Sequence, residues 1–120
     1  MYRLMVVDDS NIIRRKIERS QQDSDFDIVV SAVNGREAIE ALSNFTPDII
    51  TMDLTMPEMD GIQTISRIRQ INKQVKILVV SALKDKATAI KALKQGAQGF
   101  VCKPFSDCEL QEALLELVEG

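Results

Sequence analysis

The chain has 120 residues, 45% of them hydrophobic, with a formal net charge of −3 and a pI near 5.0; that is enough apolar material for the core of one domain. Mild acidity opposes a nucleic-acid or anionic-membrane surface, since both depend on clustered positive charge. No apolar stretch approaches the ~18 residues needed to span a bilayer, and Met1-Tyr2-Arg3 leads into a strand instead of a signal peptide; the expectation is a cytoplasmic protein with no membrane insertion and no direct nucleic-acid contact.

Five apolar runs of strand length alternate with stretches of helical period, the pattern of an α/β fold with a parallel sheet. The first run, over residues 3–8, leads to Asp8-Asp9 and a helix bearing Arg14, Arg15, Lys16 and Arg19. Those cations read as a solvated helix face in preference to a docking patch. The second strand, over residues 27–32, contains Ile28-Val29-Val30, an unbroken apolar run suited to a strand covered on both faces. Ala38, Ala41, Leu42 and Phe45 then mark one stripe of a helix. The third strand, over residues 48–53, ends in Asp53, and Met52, Met56 and Met59 around it read as packing. Asp60 precedes Gly61 and a helical run through Ile62, Ile65 and Ile68, where its carboxylate can cap the free amides of the first turn.

The fourth strand, over residues 76–81, ends in Ser81, and Gly96 stands where the following helix must stop. The fifth, over residues 99–102, ends just before Lys103-Pro104. In the last helix Leu110, Ala113, Leu114, Leu117 and Val118 keep the i, i+3, i+4, i+7, i+8 spacing of one buried stripe. No linker or repeat interrupts the series, so the reading expects a single domain over residues 1–120 with no separate output domain.

The absence of histidine removes Ser-His-Asp and Cys-His catalysis, histidine-ligated zinc and a histidine phosphocarrier. Cys102 and Cys108 match neither a CxxC pair nor a zinc knuckle, and Cys102, inside an apolar run, reads as a small buried hydrophobe. What remains is carboxylate, hydroxyl and amine chemistry. In an open α/β sheet the ligand site lies beyond the carboxyl ends of the strands, so Asp8, Asp9, Asp53, Ser81 and Lys103 converge at one edge. Three close carboxylates must take up a proton or recruit a cation, and magnesium is commonly held by one or two carboxylates plus phosphate oxygens. An aspartate can also act as nucleophile on phosphorus, with a fixed ammonium neutralising the transferred group. Lys103 can supply that charge, Ser81 a hydroxyl donor, and Pro104 can fix the turn that aims Lys103, a place where a cis peptide is accessible. Taken alone, Asp8-Asp9 would read as a helix cap and its neighbour, Ser81 as an ordinary strand-end hydroxyl and Lys103 as a solvated lysine.

Val6-Val7-Asp8-Asp9-Ser10, the segment Met52-Asp53-Leu54-Thr55-Met56-Pro57-Glu58-Met59-Asp60-Gly61, Ser81-Ala82 and Lys103-Pro104-Phe105, in this order and each at a strand end, resemble response-regulator receiver domains of the CheY-like chemotaxis type over nearly the whole chain. The resemblance implies a doubly wound, flavodoxin-like five-stranded parallel sheet of order 2-1-3-4-5. It implies that Asp53 accepts a phosphoryl group from a histidine kinase, and that Asp9, Asp53 and the Thr55 backbone carbonyl bind Mg2+, with Asp8 acting mainly through water. It further implies a switch in which Ser81 moves toward the phosphoryl group and Phe100 rotates inward behind it. The affected face comprises the fourth helix, fifth strand and fifth helix, with Lys84, Lys91, Lys94 and Phe100, and would bind a downstream protein.

Two departures from the family pattern matter. Phe100 stands where many members carry tyrosine, and a phenyl ring fills space without donating a hydroxyl hydrogen bond. Thr55 and Leu83 occupy the positions that admit or exclude the attacking water, where chemotaxis members tend to carry amide and acid groups; Leu83 cannot orient a water, so slow self-dephosphorylation is expected.

Two other classes compete. A magnesium-dependent aspartyl-phosphate phosphatase would need a second aspartate two residues after its nucleophile, where Thr55 stands. A nucleotide-binding domain would need a GxxxxGK[ST] or GxGxxG turn after the first strand, where Val7-Asp8-Asp9-Ser10-Asn11 stands. A receiver belonging to a larger regulator is the alternative within the preferred class.

Overall fold

The computed structural model describes residues 1–120, in which strands and helices alternate throughout: β1 Tyr2–Val7, α1 Asn11–Ser20, β2 Phe26–Ala32, α2 Gly35–Ala41, β3 Ile49–Met52, α3 Gly61–Ile71, β4 Lys76–Ser81, α4 Lys86–Gln95, β5 Gly99–Cys102 and α5 Asp107–Glu119. All strand pairs are parallel and the order is β2-β1-β3-β4-β5, as the resemblance implies. Parallel neighbours need crossover helices, and here these cover both faces of the sheet. Alternate residues of the central strands divide the core accordingly. Met5, Val7, Ile50, Met52, Ile77 and Val79 pack with Ile65, Ile68 and Ala92 on one side; Leu4, Val6, Ile49, Leu78 and Val80 pack with Ile17, Leu110 and Leu114 on the other.

The two edge strands depart from the reading of uniformly buried runs. Ile28, Val29 and Val30 are only half-buried, because β2 has a neighbour on one side alone, and the β1–β2 register slips between Leu4 and Met5, leaving Val29 without a partner. Cys102 is exposed, not buried. On β5, the opposite edge, Val101 takes the position facing α5, so its neighbour Cys102 points away from that core. The α2 stripe is likewise shorter than its periodicity suggests: the helix ends at Ala41, Leu42 is the cap, and Phe45 lies beyond it, though its amide still bonds to the Ala41 carbonyl at 2.9 Å.

At the start of α3 the local signal acts as the sequence predicts: Asp60 accepts from the Gln63 amide. Ser106 with Glu109, a pair the sequence reading did not single out, forms a reciprocal capping box at the start of α5. Gly96 closes α4 at φ 126°, a conformation that side chains disfavour. Met52 and Met56 are core residues and Met59 is half-buried, consistent with packing roles. No helix is long and apolar enough to cross a membrane.

Candidate phosphoacceptor site

Asp8 and Asp53 lie one residue beyond the ends of β1 and β3, which are hydrogen-bonded neighbours in register Val7 to Met52. Adjacent parallel strands that stop at the same level therefore bring residues 45 positions apart in sequence to the same edge. One carboxylate oxygen from each of Asp8, Asp9 and Asp53 falls within 4.8 Å of the others. Asp8 and Asp53 are buried while Asp9 is exposed, so the cluster has a dry floor and one wet wall.

Lys103 enters from the β5 side. Its Nζ donates to Asp8 Oδ2 at 2.9 Å and to Asp53 Oδ1 at 3.4 Å, with the lysine side chain only 17% exposed. The solvated-lysine alternative is thereby excluded. The Lys103-Pro104 peptide is cis, the accessible isomer noted for that turn. Burial pulls the Lys103 ammonium down, but the hydrogen bond to Asp8 and the charges of Asp8 and Asp53 outweigh it and hold its pKa above the ordinary lysine value.

Asp53 shows the opposite balance. Burial first, and then the negative charge of Asp8, push its pKa from 3.8 up to about 6, against the lowering effects of Lys103 and the Thr55 amide. One ammonium is therefore not enough to offset burial and the neighbouring carboxylate together. A hard cation with oxygen affinity would relieve the carboxylate repulsion, and the donor set, three carboxylates with one facing solvent, fits such an ion. The Thr55 amide approaches Asp53 Oδ1 at 3.5 Å, and Thr55 itself is exposed.

Ser81 is buried but belongs to a different set of contacts. Its Oγ accepts from the Leu83 amide at 3.1 Å and makes no hydrogen bond to the acidic cluster. Phe100 is half-buried against the core side shared with α3 and α4. The structure thus brings together Asp8, Asp9, Asp53 and Lys103, and leaves Ser81 and Phe100 beside them.

Several contributors to the site were not visible in the sequence reading. The helix cap after β1 is Ser10, whose Oγ accepts from the Ile13 amide at 3.3 Å; Asp8 is not the cap, and its Oδ1 instead accepts from the Ser10 amide at 2.9 Å. Gly61 is required by proximity: a Cβ there would lie 2.3 Å from the Asp53 carbonyl oxygen and 2.6 Å from Leu54 Cα. The solvated account of the α1 cations holds for Arg15 and Arg19, which are exposed. It fails for Arg14 and Lys16, both half-buried, with Arg14 bonded to the Asp8 carbonyl and Lys16 to the Phe105 carbonyl. The Asp-Gly pair was a signal for the glycine; the partners of Arg14 and Lys16 had none.

Residues 4–115 match the response regulator receiver domain family. The chain belongs to that family. It is 39% identical over 114 residues to the chemotaxis protein CheY of Listeria monocytogenes, covering 95% of this chain and 96% of that protein. It is also 41% identical over 112 residues to CheY of Thermotoga maritima, covering 93% of each. Among solved structures, the CheX-CheY-BeF3-Mg2+ complex of Borrelia burgdorferi matches with a TM-score of 0.95 at 28% identity, covering 99% of this chain and 90% of that one. This receiver is therefore CheY-like along its length, and the acidic cluster just described is one able to bind a metal.

Proposed function

We propose that this receiver is a stand-alone, single-domain chemotaxis-type response regulator of residues 1–120, whose Asp53 is phosphorylated by a histidine kinase in a Mg2+-dependent reaction. The observation that carries the reading is the cluster itself: a buried carboxyl held between a second buried acid and a fixed ammonium, with a third acid open to solvent. The full-length match to CheY proteins supports the stand-alone assignment. The Borrelia CheX-CheY complex, which contains BeF3 and Mg2+, supports the choice of ion by analogy.

Asp9, Asp53 and the Thr55 carbonyl would hold the ion, with Asp8 nearby. When bound, Mg2+ supplies positive charge to the phosphoryl oxygens and lowers the repulsion that keeps Asp53 prone to protonation. The chain does the rest by position. Asp53 Oδ1 is engaged by Lys103, while Oδ2 has no hydrogen bond; the free oxygen attacks phosphorus as the bond from phosphorus to the donor nitrogen breaks and the donor imidazole leaves. Lys103 neutralises the product, which carries about −1.5 to −2 charge. Ser81 then exchanges its Leu83 amide contact for a phosphoryl oxygen, and Phe100 turns into the vacated space. That pair of movements alters the face formed by α4, β5 and α5, on which Lys84, Lys91 and Lys94 are exposed, and so alters binding of a downstream protein.

None of the surface cavities contains Asp8, Asp53 or Lys103. An open edge leaves room for a protein donor. Leu83, 42% exposed beside the site, offers no group to align water for hydrolysis. The test is mass spectrometry after incubation with acetyl phosphate. One phosphoryl group is expected on the wild type with Mg2+, none after chelation or in Asp53→Asn, with decay slower than seconds. Labelling that survives Asp53→Asn would overturn the assignment.

A further inference from the structure

Asp8 is fixed at every polar atom. Its amide donates to the Ala32 carbonyl at 3.1 Å, Oδ1 accepts from the Ser10 amide at 2.9 Å, Oδ2 accepts from Lys103 Nζ at 2.9 Å, and its carbonyl accepts from Arg14 Nη1 at 2.6 Å. Asp9, the next residue and the exposed member of the cluster, makes no hydrogen bond or ion pair of its own. Its placement therefore depends on the two peptide planes that flank it: the Asp9-Ser10 plane is held through the Ser10 amide on Asp8 Oδ1, and the Asp8-Asp9 plane through the Asp8 carbonyl. Arg14 grips the Asp8-Asp9 plane by that carbonyl oxygen. The other arm of the same guanidinium, Nη2, is anchored on Asn11 Oδ1 in the first turn of α1.

From this geometry we infer that Arg14 is a positioning residue for the metal: it clamps the Asp8-Asp9 peptide so that the Asp9 carboxylate is aimed at the ion. The inference rests on the functional reading above. Arg14 uses neutral acceptors and forms no ion pair with Asp8, Asp9 or Asp53. Its charge therefore leaves the carboxylates free, and its planar fork is suited to hold two oxygens in fixed relation. Partners that orient metal ligands from behind commonly change metal affinity by about 10- to 100-fold when removed.

The sign of the effect separates positioning from simple electrostatics. A cation beside a metal site repels the metal, so deleting a mere neighbouring charge would tighten binding; deleting a clamp weakens it. The experiment titrates the whole chain with Mn2+ at pH 8 and constant ionic strength, counting free ion by its electron paramagnetic resonance signal. Arg14→Met is expected to weaken Mn2+ binding about tenfold or more. Arg14→Lys, which keeps the charge but loses the fork, and Asn11→Ala, which leaves the charge untouched, are each expected to weaken it by a smaller factor. Circular dichroism and urea midpoints identify any variant that is unfolded, and the two charge-preserving variants decide the matter if Arg14→Met is. Tighter binding in Arg14→Met, or unchanged binding in both Arg14→Lys and Asn11→Ala, would overturn the inference. A wild-type chain that takes up no Mn2+, or takes it up equally after Asp9→Asn, would instead remove the functional reading beneath it.

Discussion

Helices α3 and α4 each follow a strand that delivers a site residue, Asp53 and Ser81, and each starts on an aspartate cap, with Asp60 accepting from the Gln63 amide at 2.9 Å and Asp85 from the Thr88 amide at 3.0 Å. Past the first turn they diverge. α3 buries Gly61, Thr64, Ile65 and Ile68, whereas α4 buries only Ala92 and leaves Ile90 and Leu93 half-exposed, at 50% and 48%. Equal capping thus coexists with very unequal packing, and packing supplies most of a helix's stability in a folded protein. Asp53, the proposed phosphoacceptor, rests on the well-anchored side, which keeps its geometry fixed. Ser81, proposed to move on phosphorylation, lies next to the loosely held helix, where displacement costs little apolar contact.

Substitutions can break or sharpen this contrast. The largest effect is expected from Ile68→Ala, which removes a fully buried side chain and should cost about 3 kcal/mol, within a usual range of about 2–5, in urea unfolding. Next comes Asp53→Asn, which probes the electrostatic cost carried by the anchored side. A carboxyl whose pKa is raised keeps its proton in the native state at pH values where the unfolded chain has lost it, so stability falls as pH rises from 3.8 to about 6 and stays lower above that. The cost is about 3 kcal/mol at 1.36 kcal/mol per tenfold step in acidity, with the favourable Lys103 contact already counted in that shift, so the gain in Asp53→Asn is up to about 3 kcal/mol. Without divalent ions the variant should be the more stable at pH 7.5 and should lose that advantage by pH 4; a gain persisting at pH 4 would contradict the assignment. Smallest is Leu93→Ala on α4, expected to cost under about 1 kcal/mol. A loss matching that of Ile68→Ala would erase the distinction between the helices.

Much of the site was legible because its chemistry is local to strand ends. Asp8, Asp53 and Lys103 were placed together by the rule that parallel strands deliver their carboxyl ends to one edge, and the structure bears this out within hydrogen-bond distance. Arg14 and Gly61 were harder to read. A basic residue on an amphipathic helix looks solvated until the neighbouring turn is in place, and the need for glycine arises from the Asp53-Leu54 backbone earlier in the chain.

Periodicity and strand-end chemistry determined, from sequence alone, the five β and five α elements, the Asp60 cap and the acid–lysine constellation, because these depend on spacing and on the identities of near neighbours. Tertiary structure decided which strands lie at the edges, and hence that Cys102 is exposed and Ile28-Val29-Val30 only half-covered. It also decided that Lys16 reaches the Phe105 carbonyl across 89 residues and that Ser81 bonds to Leu83 and not to the cluster. A hydrophobic pattern specifies that a residue seeks cover; only the packed sheet specifies whether a neighbour is there to provide it.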